Sequence, residues 1–173
     1  MTKFIFVRHG EPRYDEVLAR GYKGQGYDLG RLTDTGIKQA EKRAKDPILK
    51  DAQLIISSPY TRALQTAAII SRVTHIKIEV ENDLHEWMPD TAFIFDDQID
   101  GSFNEYLDAK GVRRPNHIHR WESYDALKKR VMGVLEQYKH LDKVIVVCHG
   151  IVMSTVTHFD DVIEHCGIRE VTI

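Results

Sequence analysis

Four short apolar runs, rich in β-branched residues and separated by longer segments with helical character, constrain the fold of this chain more than any other feature. Runs of this length and composition are typical of buried strands. They span Lys3–Val7, Gln53–Ser57, Ile76–Val80 and Lys143–Cys148. Because strands that alternate with helices form parallel sheets covered on both faces, the pattern predicts an α/β fold, a three-layer α/β/α sandwich with a mostly parallel central sheet.

Start signals and apolar spacing predict three longer helices. The sequence Ser57-Ser58-Pro59 resembles an N-cap followed by proline in the first turn, and Ser123 precedes a stripe of apolar residues at helical spacing. The helices are predicted from Thr33 or Thr35 to about Lys45, from Pro59 to about Ser71, and from Ser123 to about His140, with a last strand at Ile168–Ile173.

Between about residues 87 and 121 the chain changes character, because Pro, Gly, Asp and isolated aromatic residues occur without a firm period. We interpret this stretch as an insertion over one edge of the sheet, on the active-site side, with short helices expected at Ala92–Asp97 and Asn104–Lys110. Trp87 and Trp121 either line the pocket or pack the insertion. With 173 residues, the whole of 1–173 fits a single domain.

Composition and charge exclude several classes of function. A formal net charge of −2 lacks the basic excess of a nucleic-acid-binding surface, so no nucleic-acid partner is expected. No apolar run approaches the roughly 20 residues that span a bilayer, and the first residues do not resemble a signal peptide. Two cysteines, Cys148 and Cys166, make no disulfide framework, and both are expected to be inert packing residues. We therefore expect a cytoplasmic protein with no membrane partner.

Polar motifs follow each of the four predicted strands. In chain order they are Arg8-His9-Gly10-Glu11, Ser57-Ser58-Pro59-Tyr60-Thr61-Arg62, Leu84-His85-Glu86 and His149-Gly150. In an open α/β sheet, ligands bind beyond the carboxyl ends of the strands. Two histidines, two arginines and one glutamate are therefore expected to converge there, namely His9, His149, Arg8, Arg62 and Glu86.

Each of these residue types has a task in phosphoryl transfer. The planar fork of arginine binds two phosphoryl oxygens at once, and a neutral histidine can attack phosphorus and hold the phosphoryl group covalently. Neighbouring arginine charge disfavours the imidazolium and helps keep His9 neutral. A carboxylic acid such as Glu86 can protonate the leaving alkoxide and then, as a carboxylate, activate water. The helix expected after His149 would aim free backbone N–H groups at the phosphate, so Gly150 is predicted to bind it.

The order of these motifs resembles the histidine phosphatase superfamily, also called the phosphoglycerate mutase family. The resemblance begins at Phe6-Val7-Arg8-His9-Gly10-Glu11 and covers nearly the whole chain. It continues through Leu32–Ala40, Ser57–Ala67, Leu84-His85-Glu86 and Val146–Gly150. The tripeptide Arg-His-Gly alone is a weak signal, whereas five segments in the family's order are a strong one.

The resemblance implies a phosphoglycerate mutase-like fold and gives each converging residue a role. His9 would be phosphorylated, while Glu86 would donate the proton. Arg8 and Arg62 would bind phosphoryl oxygens, and His149 would stabilise the transferring group. The family uses neither a metal nor another cofactor, because the arginines and His149 supply the positive charge. Its partner is a small phosphorylated substrate.

Two segments depart from the family's pattern. Asp15 stands where an asparagine often binds phosphoryl oxygens, and its charge would repel a phosphate unless Arg13 compensates. After Glu86, the sequence Trp87-Met88-Pro89-Asp90 replaces a stretch that contains glycine and tryptophan in many relatives.

Hydrolysis of a small phosphate monoester is the favoured function. Relatives that act as mutases are longer and carry a lid that shields the intermediate from water. The alternatives are a phosphoglycerate mutase-type isomerase, a phosphoprotein or phosphohistidine phosphatase, and a non-catalytic phosphate-binding module. Glu86 speaks against the last two, because phosphohistidine has a good leaving group and binding alone requires no proton donor.

Three clusters lie outside these motifs. The spacing of His117-Ile118-His119 suits a metal, but no carboxylate or cysteine completes a ligand pattern beside it. The acidic residues of Asp96–Asp100 are interpreted as a solvated turn rather than a cation site. The basic run Lys110–Arg114 is interpreted as a solvated face, with a second anionic group on the substrate as the alternative.

Overall fold

A five-stranded sheet forms the centre of the computed structural model, which describes residues 1–22, 24–94 and 99–173. Its strands are β1 Lys3–Arg8, β2 Leu54–Ser57, β3 Ile78–Val80, β4 Lys143–Cys148 and β5 Ile168–Thr172. They lie in the order β3-β2-β4-β1-β5, and only the pairing of β5 with β1 is antiparallel within the described sheet. The predicted strands and the mostly parallel sheet are confirmed, although β3 begins two residues later than expected.

The described residues form six α-helices and three short 3-10 helices. The α-helices are α1 Asp15–Ala19, α2 Asp34–Arg43, α3 Thr61–Thr74, α4 Ser102–Asp108, α5 Tyr124–Gln137 and α6 Gly150–Ser154. The 3-10 helices are Gly24–Leu29, Pro47–Leu49 and Asn82–Leu84.

Alternate residues of the central strands pack against helices on opposite faces of the sheet. Phe4 and Val146 join an apolar cluster with the buried face of α5, whereas Ile5 and Val147 join a second cluster with α3. Successive strand side chains point to opposite faces, so both faces of β1 and β4 are buried. This arrangement is the expected three-layer α/β/α sandwich.

Two of the three predicted helix starts are confirmed. The Thr33 side chain accepts a hydrogen bond from the Gly36 N–H at 2.9 Å at the start of α2, and Ser123 accepts one from Ala126 at 3.2 Å at the start of α5. These are N-cap bonds that satisfy otherwise free helix N–H groups.

The predicted start of the middle helix is wrong. Helix α3 begins at Thr61 with Tyr60 as its N-cap, so Pro59 lies before the helix rather than in its first turn. The Ser58 hydroxyl still accepts a hydrogen bond, from the Tyr60 N–H at 3.2 Å, but it belongs to the turn between β2 and α3. Its other partner is a histidine in the site described below.

The segment 87–121 adds to the core as well as to the surface. Trp87, Tyr106 and Trp121 join the apolar cluster under α5, and the Trp121 indole N–H donates to Glu105 at 2.7 Å. The helix expected at Asn104–Lys110 begins earlier, at Ser102. Of the helix expected at Ala92–Asp97, residues 92–94 are not helical, and 95–97 lie outside the described residues.

Candidate active site

The parallel pairing of β1 with β4 brings two histidines together at one edge of the sheet. Arg8 is paired with Cys148 in register, and the His9 N–H donates to the Cys148 carbonyl at 3.0 Å. The residues that follow, His9 and His149, therefore leave their strands side by side. Their ring centroids are 5.2 Å apart with an edge-on orientation.

His9 is held as a neutral imidazole with a defined tautomer. Its side chain is 4% exposed, and its Nδ1 lies 2.7 Å from the Gly10 carbonyl, to which it donates. The Nε2 atom therefore carries the lone pair, and it accepts a hydrogen bond from Arg62 Nε at 3.2 Å. Burial and the Arg62 charge lower the pKa of His9 to about 3.

Two arginine side chains approach His9, Arg8 from the end of β1 and Arg62 from the start of α3. Arg62, on the first turn of α3, is buried between the rings of Tyr60 and Tyr14, with its Cζ 5.2 Å and 6.0 Å from their centroids. Its Nη1 also donates to the Tyr27 carbonyl at 3.1 Å. Arg8 donates through Nη1 to the Ile163 carbonyl, whereas its Nε is buried without a hydrogen-bond partner.

His149 is oriented by Ser58 from the neighbouring strand end. Its Nε2 lies 2.7 Å from the Ser58 hydroxyl. That hydroxyl oxygen also accepts from the Tyr60 N–H at 3.2 Å, and donation of its own hydrogen to Nε2 would leave the His149 proton on Nδ1. Nδ1 is buried without a partner, and complete burial keeps the pKa of His149 well below the usual value.

The Glu86 carboxyl group receives backbone N–H groups rather than a cation. The N–H of Trp87 donates to its Oε1 at 2.8 Å, and the N–H of Ile151 lies close enough to favour the carboxylate form. Desolvation raises the pKa of Glu86 above that of an ordinary glutamate. The N–H of Ile151, the second residue of α6, is therefore directed at Glu86, whereas the sequence predicted that N–H groups after His149 would point at phosphate.

An ion pair behind Glu86 holds the loop that carries it. Arg130 on α5 donates to both carboxylate oxygens of Glu122, at 2.7 and 2.9 Å. The same guanidinium donates to the backbone carbonyls of Asp83, His85 and Glu86. Glu122 in turn accepts the Met88 N–H at 3.3 Å, so the loop is fixed on both sides of Glu86.

Comparison with known proteins decides the family. The model of the histidine phosphatase superfamily (branch 1) matches residues 4–159, which include Arg8, His9, Arg62, Glu86 and His149. The chain belongs to the histidine phosphatase superfamily. Its family and its phosphatase relatives support an enzyme of the phosphatase class, a hydrolase.

Relatives with curated names include a phosphatase and a mutase. The chain is 29% identical over 163 residues to the uncharacterized phosphatase PhoE of Bacillus subtilis, covering 87% of this chain and 72% of that protein. It is 27% identical over 133 residues to a 2,3-bisphosphoglycerate-dependent phosphoglycerate mutase of Thermoplasma acidophilum, covering 76% and 63%. The solved structure of Bacillus stearothermophilus YhfR is 19% identical and superposes with a TM-score of 0.77, covering 100% and 92%, which confirms the phosphoglycerate mutase-like fold.

Asp15 does not face the site of this histidine phosphatase. Its exposed carboxylate forms a paired contact with Arg13, including a 2.8 Å hydrogen bond from Arg13 Nε. This partner lowers the pKa of Asp15 to about 2. The compensation of Asp15 by Arg13 that the sequence suggested is therefore present, and the Tyr14 ring lies against Arg62.

Sequence reasoning missed His165, which lies near the nucleophile. Its ring centroid is 5.7 Å from that of His9, and the following residue, Cys166, donates its N–H to the carbonyls of Arg8 and His9 at 3.1 and 3.2 Å. Because β5 runs antiparallel, the residues before it reach the same edge as the ends of the parallel strands. The sequence predicted this strand but not its direction, so nothing marked His165.

The remaining candidates lie apart from the site or pack inertly. Cys148 and Cys166 are buried, and burial raises the pKa of both thiols. His119 contacts Glu105 at 3.0 Å and the Asp100 carbonyl at 3.0 Å, and His117 accepts the Arg114 N–H. Within residues 1–22, 24–94 and 99–173, no cluster of three or more potential metal ligands is found. Asp96 and Asp97 lie outside the described residues.

Two further observations concern the surroundings of the site. A cavity of about 660 Å³ opens beside Arg62 and Glu86 and extends along Trp87-Met88-Pro89-Asp90. Trp87 lines this cavity and also packs the core, whereas Trp121 is wholly buried. Among the helices that the structure describes, none is long and apolar enough to cross a membrane.

Proposed function

We propose that this chain hydrolyses a small phosphate monoester, without a metal, through a phosphohistidine intermediate at His9. The observation that carries the proposal is the state of His9, whose Nδ1 proton is bound by Gly10 so that the Nε2 lone pair points toward Arg62. A low pKa keeps this lone pair available at neutral pH. A phosphoryl oxygen would replace Nε2 as the partner of the Arg62 Nε–H and free the lone pair for attack.

Unpartnered donors around His9 support the binding of an anion. Three buried side-chain polar atoms lack a hydrogen-bond partner in the described part of the chain, and two of them, Arg8 Nε and His149 Nδ1, belong to this site. Buried donors without acceptors are costly. Phosphoryl oxygens would satisfy both, and Gly150 leaves room beside Arg8, since a Cβ there would meet its Nε at 3.5 Å.

Glu86 donates a proton to the leaving group in the first step and accepts a proton from water in the second. In the first step, His9 Nε2 forms a bond to phosphorus, the ester P–O bond breaks, and the Glu86 carboxylic acid gives its proton to the leaving oxygen. In the second step, the Glu86 carboxylate takes a proton from water, the water oxygen bonds to phosphorus, and the P–N bond breaks. A raised pKa suits the first role, because a larger fraction of Glu86 carries the proton near neutrality.

The decisive experiment measures release of inorganic phosphate from 4-nitrophenyl phosphate in excess chelator. Wild type should remain active, His9→Ala should lose at least about 1,000-fold, and the exposed His140→Ala should match wild type. Acid quenching during turnover should trap an acid-labile phosphoryl group on wild type. Activity that requires a metal, or that survives in His9→Ala, contradicts the proposal.

The similarity to a phosphoglycerate mutase keeps isomerisation as the second candidate. The two functions differ in the fate of the phosphoryl group. A hydrolase releases phosphate into solution, whereas a mutase returns it to another hydroxyl of the same product. Incubation with 3-phosphoglycerate, followed by separate measurement of phosphate and 2-phosphoglycerate, distinguishes them.

A further inference from the structure

The cavity beside the phosphoryl site begins where the leaving group must emerge. Its lining includes Arg62 and Glu86, the residues proposed to bind the phosphoryl group and to protonate the leaving oxygen. The alcohol portion of a substrate would therefore extend from that oxygen into the cavity. A volume of about 660 Å³ lies within the range of sites that hold ring-sized organic ligands.

The walls of this cavity are largely apolar. They include Tyr27, Tyr60, Trp87, Met88, Pro89 and Phe93. Tyr27 and Phe93 are 47% and 62% exposed, so large apolar surfaces face the solvent beside a polar site. Exposed aromatic faces that line a concave site favour apolar and aromatic ligands.

On the Phe93 side of the cavity, the backbone forms a turn that is held by hydrogen bonds to Asp90. The buried Asp90 carboxylate accepts the N–H groups of Ala92 and Ile94, each at 2.9 Å. It also pairs with Arg120 at 2.9 and 3.2 Å. This turn fixes the backbone on both sides of Phe93, and the charge of Asp90 is balanced within the turn.

The charge of the cavity disfavours a second anion. Among the described residues that line it, Arg62 is the only lysine or arginine, and it is hydrogen-bonded to His9. The other charged lining residues include the half-buried Asp28 and the exposed Asp100. A second phosphate or a carboxylate on the alcohol would meet these acids without a compensating cation.

The basic run at Lys110–Arg114 does not supply that cation. Lys110 and Arg114 line a different cavity, together with His117, Glu105 and Asp108. The alternative that these residues bind a second anionic group of the substrate is therefore not supported by their position.

We propose that this cavity is a leaving-group subsite for ring-sized, apolar alcohols that carry no second anionic group. The inference rests on the proposed phosphatase function and names its substrate class. Selectivity arises because an apolar ring is buried against Trp87, Met88 and Pro89, while Asp28 and Asp100 repel anions. Phosphorylated sugar acids and bisphosphates are poor substrates under this proposal.

The test compares kcat/KM for four aryl phosphates whose phenols are similarly acidic. The substrates are phenyl, 1-naphthyl, 4-carbamoylphenyl and 4-carboxyphenyl phosphate. The second ring of 1-naphthyl phosphate should raise kcat/KM about tenfold over phenyl phosphate. The carboxylate should lower it at least about tenfold relative to the neutral carbamoyl group of similar shape.

Two charge-reversal variants, one inside the cavity and one outside it, test whether the discrimination against the carboxylate arises in the cavity. Asp100→Lys should raise the ratio of carboxyl to carbamoyl activity at least about fivefold, whereas Asp108→Lys, outside the cavity, should leave it within about twofold of wild type. Equal activity on the carboxyl and carbamoyl substrates, or no gain from the second ring, overturns the inference. If those results appear while hydrolysis still depends on His9, the proposed function stands, whereas His9-independent hydrolysis of all four substrates defeats both.

Discussion

Arg130 binds both carboxylate oxygens of Glu122 while its guanidinium also donates to the backbone carbonyls of His85 and Glu86. The two side chains are 12% and 4% exposed, so this ion pair is shielded from water. It joins α5 to the loop that carries Glu86. A helix far along the chain thereby sets the position of the proposed proton donor.

Replacement of Arg130 should damage proton donation more than phosphate binding. We expect Arg130→Lys, which keeps the charge but loses the fork, to lower kcat on an alkyl phosphate by up to about 100-fold. An aryl phosphate should lose much less, because its leaving group needs little protonation. Steady-state kinetics on both esters measure the ratio, with Lys129→Ala on the same helix as control. Equal losses on both esters would show a general structural role, and added guanidinium should restore part of the alkyl activity if positioning is the cause.

Removal of the acid itself should give the same pattern in a stronger form. Glu86→Gln should lose about 10²- to 10⁴-fold on an alkyl phosphate and far less on an aryl phosphate. In wild type, kcat/KM should fall as pH rises through the raised pKa of Glu86, because the donor must be protonated in the first step. This fall in kcat/KM at high pH should be absent from Glu86→Gln. If it persists unchanged, a group other than Glu86 causes it.

Without the Ser58 hydroxyl, His149 should no longer be restricted to one tautomer. We expect Ser58→Ala to lower kcat by up to about 100-fold, since Nδ1–H would no longer be enforced as the donor to phosphate. Nitrogen-15 NMR of the imidazole reads the tautomer directly. Ser57→Ala is the matched control, because the Ser57 hydroxyl bonds to the Ser58 carbonyl instead. Unchanged imidazole shifts in Ser58→Ala would contradict the assignment.

The pKa of His9 predicts how folding stability changes in acid. In the unfolded chain His9 takes up a proton near its ordinary pKa of 6.5, whereas in the folded protein it does so near about 3. The unfolded state therefore binds more protons between these values, so stability is present above pH 6.5 and is lost as pH falls. One such group contributes a slope of at most about 1.4 kcal/mol per pH unit. The free energy of unfolding, measured with urea at pH 7, 6 and 5, should fall less steeply with decreasing pH for His9→Gln than for wild type. Equal pH dependence in the two proteins would exclude this coupling.

Much of the fold was predictable because the strands are apolar and short. Their pairing in parallel explains why Arg8, His9 and His149 meet, since residues after aligned strands share one edge of the sheet. Glu86 was also expected there because it follows the third strand, although β3 ends at Val80 and the 3-10 helix Asn82–Leu84 lies between them.

Contacts between side chains distant in sequence could not be predicted. No spacing links Arg130 to residues 83–86, and Ser58 looked like a helix cap although its hydroxyl serves His149. The position of Asp15 in the motif suggested a contact with phosphate for the same reason. Its ion pair with Arg13 is a side-chain contact that the position in the motif does not indicate.

The position of β4 has a consequence for biosynthesis. This strand lies between β2 and β1 in the sheet, so the two earlier strands share no hydrogen bonds until residues 143–148 are available. During translation, a chain that ends before this strand holds His9 and Arg62 on separate, unjoined pieces of the sheet. Pairings this distant in sequence form slowly. We therefore expect a nascent polypeptide that lacks residues 143–148 to have no phosphatase activity, because β4 is needed to join the strands that position His9 and Arg62.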